Sequence, residues 1–178
     1  MLRELVAQHR AAIVSDWFES IVGAYPDETG KFLRRSREPF GNPVGTALRE
    51  ELGTIVDGVV GKVRDDELLT SLDRIVRVRA VQEFSAAAAV GFVFDLKPIL
   101  HRLAESTAPS MPELGDRIDR SVDRLALMAF DVYTTCREQI AEIRIRSIRD
   151  LSAKQIERLN EWRGRRDCDL AAAEADST

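Results

Sequence analysis

The stretch LGDRIDRSVDRLALMAFDVYTTCREQIAEIRIRSIRDL, residues 114–151, decides the fold class of this chain. Leu114, Ile118, Val122, Leu125, Ala129, Val132, Cys136, Ile140, Ile143, Ser147 and Leu151 follow one another at steps of three and four. That spacing is the signature of one face of an α-helix. No proline follows Pro112, and after Gly115 the next glycine is Gly164, so nothing local stops the helix. A helix of roughly 50 residues would run roughly 75 Å, longer than the diameter of a domain of this size. The pattern therefore predicts a long last helix whose C-terminal half projects or packs against another chain. Val132, Cys136, Ile140, Ile143 and Leu151 are the candidate residues for that contact.

Upstream, the same periodicity recurs in shorter pieces, and period-two alternation is nearly absent. Leu2, Leu5, Val6, His9, Ile13, Trp17 and Ile21 form the apolar stripe of a first helix, ended by Gly23 and Tyr25-Pro26. A short helix is expected from Asp27, carrying Phe32 and Leu33 inward. REPFGNPVG, residues 37–45, reads as a loop entering a third helix, with Asn42 as N-cap and Pro43 at the first helical position. That helix carries Val44, Leu48, Leu52, Ile55, Val56, Val59, Val60 and Val63. Asp65 and Asp66 open a fourth, where acidic residues suit the helix dipole. Ser85 is placed to cap a fifth, AAAAVGFVFDLKPILHRLAES, which Pro98 should kink near residues 94–98 or break in two. STAPSMP, residues 106–112, reads as a loop. The whole is all-α: one helical domain over 1–150, a continuation of the exit helix over 151–166, and a frayed tail over 167–178.

Composition bounds the function. The 178 residues carry a net charge of −4, which argues against a general nucleic-acid binder. The most apolar run, Ala86 to Phe94, is about half of what a bilayer-spanning helix needs. The N-terminus MLRELVAQHR has no apolar signal-peptide core. Cys136 and Cys168 show no C-x-x-C spacing and read as free thiols, so a cytoplasmic location is expected.

Groups able to do chemistry are few. Catalysis needs converging nucleophiles, bases or metal ligands. The two histidines, His9 and His101, lack partners at metal-ligand spacing. His101, late in a helix, is the candidate proximal ligand in a haem alternative, against the plainer reading of a histidine on a helix flank. IVRVRAVQ, residues 75–82, sets Arg77, Arg79 and Gln82 in an apolar run. Either they form an ion-pair network with Asp73, Glu83 and Asp95, joining two helices, or they line a pocket for an anion or other ligand. Residues 137–166 hold nine Lys/Arg against five Asp/Glu, a mild surplus that reads as a solvated face. No catalytic residue, metal site or resident cofactor is expected.

Three stretches, PFGNPVG at 39–45, IVRVRAVQEFSAAAAVGFVFDLK at 75–97 and YTTCREQIAEIRIRSIR at 133–149, together with Trp17 and Tyr25-Pro26, resemble the N-terminal domain of RsbR-type stressosome proteins, in particular the RsbRD branch. The likeness covers roughly residues 1–150, and the middle stretch is its specific part. It implies a globin-like fold without haem, a homodimer, and a last helix leading toward an output STAS domain phosphorylated by a partner kinase. A stand-alone member without a STAS domain is the expectation here, and Pro98 departs from the family's usual pattern. The resemblance thus implies a regulatory or sensing role through protein contacts. A second reading is an accessory subunit beside an anaerobic sulfur or electron-transfer complex, since stand-alone members of the family occur near such genes.

Overall fold

In the computed structural model, residues 1–35, 42–82, 84–107 and 111–175 are described, with the side chains of Pro112 and of residues 164–175 left aside. Seven helices follow in order: α1 Leu2–Gly23, α2 Asp27–Arg34, α3 Pro43–Val59, α4 Asp65–Val81, α5 Ala86–Gly91, α6 Leu96–Thr107 and α7 Pro112–Ala175. The described residues contain no strand, so the all-α reading holds. Two compact units divide the chain, Met1–Arg137 and Glu138–Thr178.

In the first unit α1 is central, packing on α3, α6 and α2, while α4 lies on α3 and carries α5. The α1 stripe is buried as its spacing requires: Leu5, Val6, Ile13, Trp17 and Ile21 are closed to solvent. Trp17 is the largest of these. Its indole Nε1 donates to the Phe92 carbonyl at 2.7 Å, and its ring stacks on Phe92 with centroids 5.8 Å apart. A buried indole N–H needs such an acceptor. The first half of α7 turns Leu114, Ile118, Val122, Leu125 and Ala129 into the same core. Near its end in this unit, the Tyr133 hydroxyl donates to the Phe84 carbonyl at 2.9 Å, and Arg137 Nη1 donates to the Ala80 carbonyl at 3.3 Å. These bonds tie α7 to the last turn of α4 and to the segment that follows it.

The joint between α2 and α3 is made by one side chain. Asn42 is fully buried, and its Oδ1 accepts from the Gly45 amide at 2.9 Å. Its Nδ2 donates to the Leu33 carbonyl at 2.6 Å and to that of Phe32 at 3.2 Å. The predicted N-cap therefore also closes the C-terminus of the preceding helix. Gly45 is obligatory here, because a Cβ would lie 2.5 Å from the Leu33 carbonyl oxygen and closer still to the Asn42 amide. Residues 36–41, which include most of the 37–45 loop, lie outside the described residues, as do 108–110 of the expected 106–112 loop.

Several boundaries differ from the sequence reading. The third helix ends at Val59, because Gly61 adopts φ 68° and turns the chain into α4, leaving Val60 and Val63 outside it. Pro98 does divide the fifth helical pattern: α5 stops at Gly91, residues 92–95 form turns, and α6 restarts at Leu96. Proline is tolerated in the first turn of α6, where its missing N–H has no intrahelical partner. Phe32 is not inward as expected. It stands 47% exposed, and Val44 of α3 is 55% exposed.

The second unit is the rest of α7. Every side chain from Ala141 to Arg163 is exposed, including Ile143, Ile145, Ile148, Leu151, Ile156, Leu159 and Trp162.

Candidate functional site

Arg79 is the one arginine of the IVRVRAVQ run that α4 turns inward. It is 3% exposed, a burial uncommon for an arginine unless a carboxylate accompanies it. No carboxylate does so among the described residues. Its Nη1 donates to the Ala88 carbonyl at 3.1 Å, while Nε and Nη2 are shut off from solvent without a hydrogen-bond partner. Three aromatic rings stand around it, with Cζ 4.6 Å from the Phe92 centroid, 5.6 Å from Tyr25 and 5.8 Å from Phe84. Such rings offset part of the cost of burying the cation through their π-faces. The expected ionic link between the fourth and fifth helices is thus replaced by one backbone hydrogen bond and a set of cation–π contacts. Of the proposed acidic partners, Asp73 holds Arg77, Asp95 accepts from Ser20 at 2.7 Å, and Glu83 lies outside the described residues.

Arg77 and Gln82 do not converge on Arg79. Arg77 lies on the exposed side of α4, doubly hydrogen-bonded to Asp73 at 2.8 and 2.9 Å, and that bonding raises its pKa. Gln82 is exposed and lines a cleft of ≈ 520 Å³ bounded by α2, α3 and α4. Phe32, Val44 and Val78, three large apolar side chains left exposed on three different helices, all line this same cleft. Leu33, Leu48, Ile75 and Tyr25 complete the apolar wall. Arg74 and Glu51 lie at its polar margin, ion-paired to each other, with the Glu51 hydrogen bond holding Arg74 above its ordinary pKa. Tyr25 belongs both to the cleft wall and to the ring set around Arg79. Sequence alone does not reveal this wall on α2 and α3, because the spacing of Phe32 and Val44 is the same for a cleft wall as for a core face.

His101 sits on the seam between α6 and α7. Its Nε2 lies 3.1 Å from Asp119 Oδ1, and its ring closes on Gly115, where a Cβ would approach Cε1 at 3.3 Å and Nδ1 at 3.7 Å. The imidazole thus has a carboxylate partner on α7 through Nε2. The His101 hydrogen bond holds the Asp119 carboxyl below its usual range, with help from the Lys97 charge and against partial desolvation. Lys97 in turn lies 2.7 Å from Asp123 and 3.5 Å from Asp119, and these carboxylates raise its pKa. Among the described residues, no three His, Cys, Asp or Glu side chains are grouped to hold a metal ion.

The residues expected at a partner contact separate. Cys136 is buried in the first unit, Val132 and Ile140 are half-buried, and Ile143 and Leu151 are exposed. The exposed face of the second unit has a different period from the one first read. Ile145 and Ile156, Ile148 and Leu159, Leu151 and Trp162 are each eleven residues apart. Three helical turns take almost eleven residues, so these six side chains share one stripe.

Residues 11–148 match the family model described as the RsbT co-antagonist protein RsbRD N-terminal domain. The chain belongs to this family. The match takes in Trp17, the Asn42–Gly45 joint, all of α4 and α5, and α7 as far as Ile148. The family points to a stressosome-type regulatory role. No curated protein and no solved structure matches the chain. No helix among the described residues is long and apolar enough to cross a membrane.

Proposed function

We propose that this chain is a non-catalytic regulatory module that dimerises and signals by protein–protein contact. The observation that carries this reading, beside the family, is the exposed stripe of the second unit. Six large apolar side chains between residues 145 and 162 stand in solvent along one side of a single helix. A lone helix has no core in which to bury such a face, so the face is stable in water chiefly when a second helix covers it. An eleven-residue repeat suits pairing of helices that run nearly straight or with slight right-handed supercoil. The natural occupant is the same stripe of a second copy, and a stressosome-type partner is reached through the resulting pair. In this reading the domain is globin-like without haem and works in the cytoplasm.

Multi-angle light scattering on the purified chain tests the pairing. A dimer at micromolar concentration is expected, and the Ile148→Glu/Leu159→Glu double variant should run as a folded monomer with unchanged near-ultraviolet circular dichroism. A wild-type monomer at that concentration, or a double variant that remains dimeric, removes the stripe from the proposal. Neither the redox-subunit reading nor the haem reading gains a specific observation.

A further inference from the structure

We infer that the cleft between α2, α3 and α4 is a binding site for a small amphipathic carboxylate, whose head group is held by Arg79. Three features support it, two in the cleft itself and one, Arg79, beside it. The first is the cleft, whose ≈ 520 Å³ lies in the range that takes a small molecule. The second is its wall: Phe32, Val44 and Val78 are each about half exposed although all are large and apolar, and a hydrocarbon or aryl body covering them would recover hydrophobic free energy. The third is the cation. Arg79 is buried with Nε and Nη2 unpartnered, the two adjacent donors that a guanidinium offers side by side to a carboxylate.

Helix geometry connects the wall to the cation. Ile75, Val78 and Gln82 of α4 line the cleft, and Arg79 lies four residues after Ile75 and three before Gln82. It therefore occupies the edge of the same stripe. The Tyr25 ring lines the cleft and its centroid lies 5.6 Å from the Arg79 Cζ, so this one side chain adjoins both. Rotation of that one side chain would admit a carboxylate to Nε and Nη2 while its apolar body remains against Phe32, Val44 and Val78. Arg74 is a poorer head-group site, since Glu51 already neutralises it. An uncharged ligand would leave the cation as it is, and an inorganic anion would leave the wall bare.

The inference rests on the regulatory role proposed above for its purpose, but its test reads binding directly, so its failure would leave dimerisation and partner contact standing. Trp17 is the reporter, because it stacks on Phe92 and the Phe92 ring faces Arg79; a Trp162→Phe background makes it the single tryptophan. Sodium decanoate, below its micelle concentration, should change Trp17 emission saturably. Decanol should bind at least about tenfold more weakly, the factor that one charge-assisted hydrogen bond supplies, and inorganic phosphate should have no effect. Arg79→Met should abolish the difference between decanoate and decanol. Ala47→Phe, which fills the cleft from its exposed wall and leaves the core untouched, should abolish both responses. Decanol binding as tightly as decanoate, decanoate binding undiminished in Arg79→Met, a response to phosphate alone, or no decanoate response in the folded chain would each overturn the inference.

Discussion

Asn42 and Arg79 are both polar, both buried, and both placed where one helix meets the next, yet their surroundings differ in kind. Around Asn42, the side-chain oxygen takes the Gly45 amide and the side-chain nitrogen closes two carbonyls at the end of α2. Around Arg79, one backbone carbonyl and three ring faces meet a guanidinium that keeps two donors unused. A buried polar group whose bonds are all made within the chain rigidifies a joint, whereas one left partly unmade is costly and needs another reason to be there. The first describes architecture. The second is the observation on which the binding proposal for Arg79 rests.

The comparison predicts opposite responses to substitution. Asn42→Ala orphans the Gly45 amide and the Leu33 carbonyl together, and should cost about 3 kcal/mol of unfolding free energy in urea melts. A loss below about 1 kcal/mol would show that the α2–α3 joint is held by something else. Gly45→Ala should cost about as much for a steric reason, because the Leu33 carbonyl is backbone and cannot move aside alone. Trp17→Phe removes the donor to the buried Phe92 carbonyl and part of the stacked surface, so a loss of about 2 kcal/mol is expected.

Arg79→Met should behave the other way. An apolar chain of similar length removes an uncompensated buried cation, and stability should be unchanged or rise by about 1 kcal/mol. A clear loss of stability would mean that the aromatic rings fully offset the burial of the charge and would erase the contrast with Asn42. The smallest effect belongs to the α6–α7 seam. Asp119 has its pKa depressed in the folded chain, so its contribution is present above the ordinary aspartate range and is lost as pH falls through the lower folded value. The carboxylate is nearly half exposed, so screening limits that contribution to a few tenths of a kcal/mol. Asp119→Asn should correspondingly flatten the acid limb of the stability curve slightly and leave stability at neutral pH almost unaltered.

These contrasts also show how legible the chain was. Helical periodicity placed all the major helices, because the spacing of apolar residues is itself the record of one-sided burial. The Asn42 cap, the Ser85 cap and the break at Pro98 were readable because they act through the local backbone. The Arg79 environment was half readable. Its sequence neighbours suggested either an ion pair or a pocket, and the choice between Asp73, Glu83, Asp95 and no partner depends on how α4 is rotated. The exposed stripe of residues 145–162 is less legible for a different reason: it recurs every eleven residues and meets the stripe that continues from the first unit only at Leu151.

By itself, then, the sequence determined that the chain is all-helical, which segments form its helices, that α7 runs uninterrupted through residues 114–151, and which family the chain resembles. All of these are set by residues close together along the chain, or by motifs that can be recognised without coordinates. Only the tertiary structure decided that Phe32 and Val44 line a cleft rather than a core, that Asn42 ties the end of α2 as well as the start of α3, and that Arg79 is buried without a carboxylate. The physical reason is common to all three: burial and pairing depend on what another helix brings to the same point in space, and helical spacing fixes the face a residue occupies but not what that face will meet.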